Sequence, residues 1–304
     1  MSIRYQPLLG FYPDALVRAG RVYPAAIARR PDSRWGRLLV DPAAPDPALR
    51  RLGAAHLAAR LADDPTLTNG PTTCWQSDDR DGVRVTGGWY FDMIATCDAL
   101  KTEYEDFAAA EPDDHGSISP ARLPLRALAH ELAVDPLTSG QGRDAAIGIS
   151  VILTIPPELD DVAGPRSFVI GRRGHVSSDR GSWHVAPSGM LELTDDPDPV
   201  AATVATELEE ELGIRIASAA VADRMVMLGL TQDLLRLKPD LVVRLDLSTA
   251  EVPAELAAVS EFSELAFVPA DRHGLDTFWK EHVPQRLTPA AAGAIALFEE
   301  SLPI

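Results

Sequence analysis

Residues 199–214 read PVAATVATELEEELGI. The stretch is helical by its punctuation. Asp198 is a good N-cap, Pro199 fits the first helical position, and Gly213 is placed to end the helix in a left-handed conformation. Val204, Leu208 and Leu212 recur every fourth residue and form a stripe that can pack on a sheet. Glu207, Glu210 and Glu211 share another face, while Glu209 points elsewhere, toward water. Like charges at this spacing destabilise a helix by only about 0.2–0.5 kcal/mol per pair, so a solvated acidic face is one reading. The carboxylates, however, crowd the C-terminal turns, where the helix dipole disfavours anions. A hard divalent cation resolves that conflict and is the other reading.

The flanking sequence predicts strands. AIGISVILTI (146–155) is a nearly continuous apolar, β-branched run, as in a buried strand. PPELDDVAGP (156–165) reads as a turn, RSFVIGRRG (166–174) as a second strand, and GSWHVAPSGMLEL (181–193) as an extended segment with a glycine turn. Beyond the acidic helix, RIASAAVADRMVMLGLTQ (215–232) and KPDLVVRLDLS (238–248) are strand-rich. VPAELAAVS (252–260) reads as a short helix, ELAFVPA (264–270) as a strand, and TPAAAGAIALFEES (288–301) as a closing helix. Strands and helices interleave, which predicts an α/β fold with a mixed sheet.

The first half is less patterned. LRRLGAAHLAARLADD (49–64) has helical spacing, residues 84–111 start strand-like and turn helical near Tyr90, and ARLPLRALAHELAV (121–134) is a helix with Pro124 in its first turn. EPDDHGSISP (111–120) reads as a loop, and DPLTSGQGRD (135–144) as a boundary. The expected division is an α-rich, α+β accessory region over 1–142 and a second domain over 143–304.

The chain has 304 residues, 46% of them hydrophobic and 24% charged, as in ordinary globular proteins. No apolar run approaches the roughly 20 residues that cross a bilayer, and no signal peptide is read at the N-terminus, so a cytoplasmic location is expected. Cys74 and Cys97 are too few for a disulfide framework and read as buried free thiols; no Cys/His cluster has zinc spacing. The net charge of −17 argues against nucleic acid polymers and anionic membranes as partners. A small phosphorylated substrate stays compatible with it.

Residues 189–214, GMLELTDDPDPVAATVATELEEELGI, resemble the signature of the Nudix hydrolase family, G-x5-E-x7-R-E-U-x-E-E-x-G-U with U aliphatic. Glu207, Leu208, Glu210, Glu211, Gly213 and Ile214 fall in register, and WHVAPSG is similar to the strand and turn that lead into it. The resemblance covers about the C-terminal half and implies a Nudix-like α/β/α sandwich. Two departures stand out. Thr206 replaces the family's arginine, and the loop is three residues longer. The first acidic position therefore falls at Asp195 or at Asp198, depending on the end from which it is counted, and Asp198 can serve as an N-cap alone.

The resemblance implies hydrolysis of a diphosphate linkage in a small, nucleotide-like metabolite. Glu207, Glu210 and Glu211, with the carbonyl of Gly189, would hold Mg²⁺ or Mn²⁺, and Glu210, or secondarily Glu264, would act as the base. Arg172 and Arg173 can clamp phosphate or form a solvated strand end. His184 reads as a packing residue or a catalyst, Trp183 as core or a stacking surface, and Trp89 and Tyr90 as core or lid. The alternatives are a catalytically weak ligand-binding or regulatory module, favoured by Thr206, and a biosynthetic hydrolase of a prenyl diphosphate. The N-terminal half is expected to shape substrate choice, to mediate homodimerisation or to pack as extra layers on the sheet.

Overall fold

The computed structural model describes residues 3–29, 38–40, 44–78, 83–110, 122–133, 135–157, 165–174, 179–253, 256–259 and 261–303. In chain order the first half supplies β1 (Val17–Arg18), β2 (Arg21–Val22), β3 (Ala25–Arg29), β4 (Leu38–Val40), α1 (Pro47–Asp63), β5 (Pro71–Asp78) and β6 (Val83–Trp89). There follow α2 (Tyr90–Met93), a π-helical turn over Ile94–Asp98, α3 (Ala99–Ala110) and α4 (Pro124–Ala133). The second half supplies β7 (Gly148–Ile155), β8 (Ser167–Arg173), β9 (Trp183–Val185), β10 (Ser188–Met190), α5 (Pro199–Leu212) and α6 (Ser218–Ala222). It ends with β11 (Val226–Asp233), β12 (Lys238–Asp246), β13 (Phe262–Pro269), α7 (Arg272–Glu281) and α8 (Pro289–Ser301).

The main sheet runs β13-β8-β7-β12-β11-β3, with β10 on β7 and β9 on β8. It is mixed: β12 lies parallel to β7, and the other pairs are antiparallel. β7 is buried on both faces, which explains its unbroken apolar run. Its alternation divides the core. Ile149, Val151 and Leu153, with Leu241, Val243 and Leu245 of β12, face Val204, Leu208 and Leu212 of α5. Ile152 and Val242 face the other way and pack with Phe278 of α7 and Ile295 and Phe298 of α8. The expected α/β/α sandwich with a mixed sheet is therefore present.

The first half is built into this sheet. β3 pairs with β11, and Trp75, Val83 and Val85 join the core under α5. β4, β6 and β5 form a separate three-stranded sheet. Residues 135–144, expected to mark a boundary, are tied down. The Gly140 N–H donates to the Gln76 carbonyl at 3.0 Å, and the guanidinium of buried Arg143 donates to the Ser139 carbonyl at 2.7 Å. The segment lacks periodicity because its polar groups close local turns. Buried Arg126 of α4 donates to the carbonyls of Leu234 at 2.7 Å and Leu235 at 2.6 Å and to Tyr12 Oη at 2.8 Å, joining the first half to the β11–β12 turn.

Other expectations need adjusting. Ser218–Ala222 of the strand-rich 215–232 segment is helical, as its alanines allow. Within 252–260 the described residues are not helical, and residues 254, 255 and 260 lie outside the described set. The loop expected at 111–120 also lies outside it, as do residues 158–164 of the turn. Segment 181–193 divides into β9 and β10 around a cis Ala186–Pro187 bond. Cys74 and Cys97 are both free and buried. Among the described residues no helix is long and apolar enough to cross a membrane.

Candidate active site

α5 begins as its sequence dictates. Asp198 accepts a hydrogen bond from the Ala201 N–H at 3.0 Å, Pro199 follows, and Gly213 closes the helix at φ 68°. The Gly213 and Ile214 N–H groups reach the Glu209 and Leu208 carbonyls, each at 3.0 Å. With Val204, Leu208 and Leu212 against the sheet, the carboxylates separate. Glu209 is exposed and pairs with Arg215 at 2.7 Å, and Glu210 and Thr206 are exposed. Glu207 is half-buried, and Glu211 is only 1% exposed.

Glu207 and Glu211 meet the β10 strand. Glu211 Oε2 accepts from the Ser188 N–H at 2.9 Å, while its Oε1 is buried and has no hydrogen-bond partner. The Glu207 carboxylate lies against Gly189, and a methyl group there would run into it. Burial, followed by the charges of Glu210, Glu261 and Glu192, pushes Glu207 up to about 8. Burial and then Glu207 push Glu211 up to about 9, opposed by the Ser188 hydrogen bond and more weakly by Arg173. These are the signs of negative charge packed without its counter-charge.

Glu207 and Gly189 line a cleft of about 370 Å³, within the usual range for small-molecule sites. Its wall includes Glu192, Glu261, Arg173, Lys238 and Asp240 from the second half and Tyr90, Met93 and Asp98 from the first. Arg173 reaches Glu261 at 3.6 Å. Burial pushes Asp240 up to about 6, opposed first by a hydrogen bond from the Ser150 side chain and then by Lys238. Arg236 is held by Asp98, Asp179 and Asp233, each at 2.8 Å, and those charges raise it well above the ordinary arginine value despite burial. His184, which also lines the cleft, is buried on the Thr288 hydroxyl, Nδ1 to Oγ1 2.6 Å, and burial lowers it to about 3, with Arg173 adding to the effect.

The expected site residues divide. Glu207, Gly189 and Arg173 share the cleft, and Glu211 stands behind Glu207 on the same helix face. Arg172 and Glu264 are absent from the cleft wall; both are more than half exposed, 3.8 Å apart in a surface pair. They follow strand alternation: Arg172 leaves β8 opposite to Arg173. Glu210 is on the exposed side of α5, off the wall. Neither candidate for the first acidic position lines the cleft. Asp198 caps α5, and Asp195 is exposed. Glu192 does line it, only three residues after Gly189, where the family's spacing does not look for an acid. Glu261, just before β13, is the acid of the late segment that reaches the cleft.

The donor set suits a hard divalent cation in its chemistry: oxygen ligands only, negative charge unbalanced, and one buried carboxylate oxygen without a partner. It is not a ready-made cage. Among the described residues no three carboxylate, imidazole or thiol side chains stand close enough together to hold an ion.

No family model matches the chain, and no curated protein matches it. Solved structures similar to it include a MutT/nudix family protein from Enterococcus faecalis, at 15% identity and TM-score 0.32 over 54% of each chain. A bifunctional NMN adenylyltransferase/ADP ribose pyrophosphatase from Francisella tularensis matches at 12% identity and TM-score 0.34, over 51% of this chain and 41% of that one. A NUDIX hydrolase from Alicyclobacillus acidocaldarius matches at 12% identity and TM-score 0.38, over 52% of this chain and 92% of that one. The match thus spans about half or less of the first two structures. About half of this chain is similar to solved Nudix and MutT proteins.

Proposed function

We propose that the chain is a Mg²⁺- or Mn²⁺-dependent hydrolase of a diphosphate linkage in a small, nucleotide-like metabolite. The observation that carries this reading is the Glu207–Glu211 pair, pushed up to about 8 and 9 beside a cleft that also holds Arg173 and Lys238. Glu207 and Glu211, with Glu192, Glu261 or Glu210, would hold the cation. When bound, it would neutralise phosphoryl oxygens and acidify a coordinated water.

The chain's own residues do the rest. Arg173, freed from its 3.6 Å contact with Glu261, would take a phosphate oxygen. The absent methyl at Gly189 leaves Glu207 room to lie on the backbone beside the cleft. Glu261, on the cleft wall, or Glu210, by rotation from the rim, would accept the proton of the attacking water. Screening diphosphate esters with Mg²⁺ and identifying products by mass tests the reading. Cation-dependent release of a monophosphate, lost in Glu207→Gln, supports it, and an inert wild type contradicts it.

A second reading is a ligand-binding module with little turnover. It is favoured by exposed Thr206 in place of a bracing arginine and by the lack of a preassembled three-acid group among the described residues. Tight binding of a diphosphate without turnover selects it.

A further inference from the structure

His184 on β9 lines the cleft, and so do Thr288, Pro289 and Ala290, the cap and first two residues of α8. His184 is only 6% exposed. Its Nδ1 meets the Thr288 hydroxyl at 2.6 Å, and its Nε2 has no hydrogen-bond partner among the described residues. The buried ring therefore has one polar atom left for the cleft.

Counting hydrogens assigns the ring proton. Thr288 Oγ1 accepts the Ala291 N–H at 3.2 Å as the cap of α8, and it has no partner besides that group and His184 among the described residues. The hydroxyl hydrogen then has Nδ1 as its acceptor, and the one proton of a neutral imidazole is on Nε2. The ring is neutral because burial, and then Arg173, lower it to about 3, and the positive end of a helix disfavours a cation in the same way.

Two more donors stand on this wall. Pro289 has no N–H, and the Ala290 N–H, at the second helical position, has no partner among the described residues. The buried Nε of Arg173 has none either. Arg173 and Lys238 are the cations near the imidazole, and Asp179, also near it, is tied to Arg236 at 2.8 Å. Unpaired N–H groups at the N-terminus of a thirteen-residue helix, beside two cations, suit a phosphate oxygen.

We propose that His184 and the N-terminus of α8 form a phosphate subsite, in which the His184 Nε2–H and the Ala290 N–H donate to the oxygens of one phosphoryl group and Thr288 holds the imidazole in its donating tautomer. His184 then touches substrate, and Thr288 is a positioning residue. The inference rests on the hydrolase reading and deepens it. The acids of α5 would take phosphate through a cation, whereas this wall takes it directly.

Nitrogen NMR of the full chain with isotope-labelled histidine tests the subsite on the wild type. His184, assigned by its loss in His184→Asn, should carry its proton on Nε2 alone. Its Nε2 signal should move when methylenediphosphonate, a diphosphate that is not cleaved, is added with Mg²⁺. Thr288→Val should mix the two neutral tautomers, and Thr288→Ser should keep the single one. A proton on Nδ1, or an Nε2 signal that methylenediphosphonate leaves in place, overturns the proposal.

Kinetics on ADP-ribose and the other diphosphate esters of the screen separate the two readings. His184→Asn keeps an acceptor for Thr288 but loses Nε2–H, and should lower kcat/KM about 10–100-fold. His184→Gln, whose amide reaches the Nε2 position, should recover part of that. Turnover unchanged in His184→Asn removes the subsite and keeps the hydrolase. No turnover of any ester, with methylenediphosphonate bound at least tenfold more weakly by His184→Asn in calorimetry, keeps the subsite and removes the hydrolase. No turnover and no such difference removes both.

Discussion

Replacing Glu211 by glutamine probes the uncompensated charge at its most buried point. In the folded chain Glu211 is pushed up to about 9 from the ordinary 4.5, by burial first and by Glu207 next. A folded-state value above the unfolded one means that the folded chain holds more protons between pH 4.5 and 9. Stability is therefore full below that window and falls as pH rises through it. At about 1.4 kcal/mol per pKa unit, the whole shift would amount to about 5 kcal/mol at pH 8. Glu207, itself pushed up to about 8, shares the repulsion, so about 2–3 kcal/mol is expected from Glu211 alone. Glutamine keeps an acceptor for the Ser188 N–H and carries no charge. Urea unfolding in EDTA at pH 5 and pH 8 reads this contribution as the difference between wild type and Glu211→Gln. The variant should match wild type at pH 5 and exceed it by about 2–3 kcal/mol at pH 8. Saturating Mn²⁺ at pH 8, at about a hundred times its Kd, should return about 2.7 kcal/mol to wild type and far less to the variant. A stability difference between Glu211→Gln and wild type that does not grow from pH 5 to pH 8, or a variant less stable at pH 8, would refute the reasoning, because Glu211 would then be a satisfied anion.

Gly189→Ala places a methyl group against the flexible end of Glu207, so unfolding stability should change by less than about 1 kcal/mol while the Mn²⁺-induced rise in Tm shrinks. Arg236→Met leaves Asp98, Asp179 and Asp233 without their shared cation and should destabilise by about 3–5 kcal/mol, partly recovered by adding Asp233→Asn. His184 and His130, lowered by burial to about 3 and about 4, are neutral in the fold at pH 5, whereas their unfolded counterparts take up protons below pH 6.5. Their contribution to stability is therefore lost as pH drops from 6.5 toward 4, opposite in sign to that of Glu211, and the stability of wild type relative to His184→Asn should fall over that range in urea titrations.

Helix α5 was legible because its signals are local: a cap, a proline, a four-residue apolar period and a terminal glycine. β7 was legible because burial on both faces makes it apolar throughout. α7 was not read: RHGLDTFWKE has just three large apolar side chains, Leu275, Phe278 and Trp279, all buried in a narrow stripe among charges. β3 was invisible because five residues, AAIAR, become a strand only through pairing with β11.

The site divides in the same way. Glu207 and Glu211 were found by their helix positions and Gly189 by its motif. Glu192, Glu261, Lys238 and Asp240 reach the cleft through tertiary geometry, Asp240 through the parallel register of β12 on β7, which leaves no trace in nearby sequence. Glu264, read as a secondary base, lies on a strand where it is more than half exposed beside Arg172.

The most direct test is the free-Mn²⁺ signal in electron paramagnetic resonance, titrated with wild type and with Glu207→Gln/Glu211→Gln, with and without a diphosphate ester. Wild type should remove free Mn²⁺ from solution, more strongly with the diphosphate present, and the double variant should do neither. Equal uptake by both proteins, or no uptake by either, would contradict a carboxylate pair that grips phosphate through a hard cation.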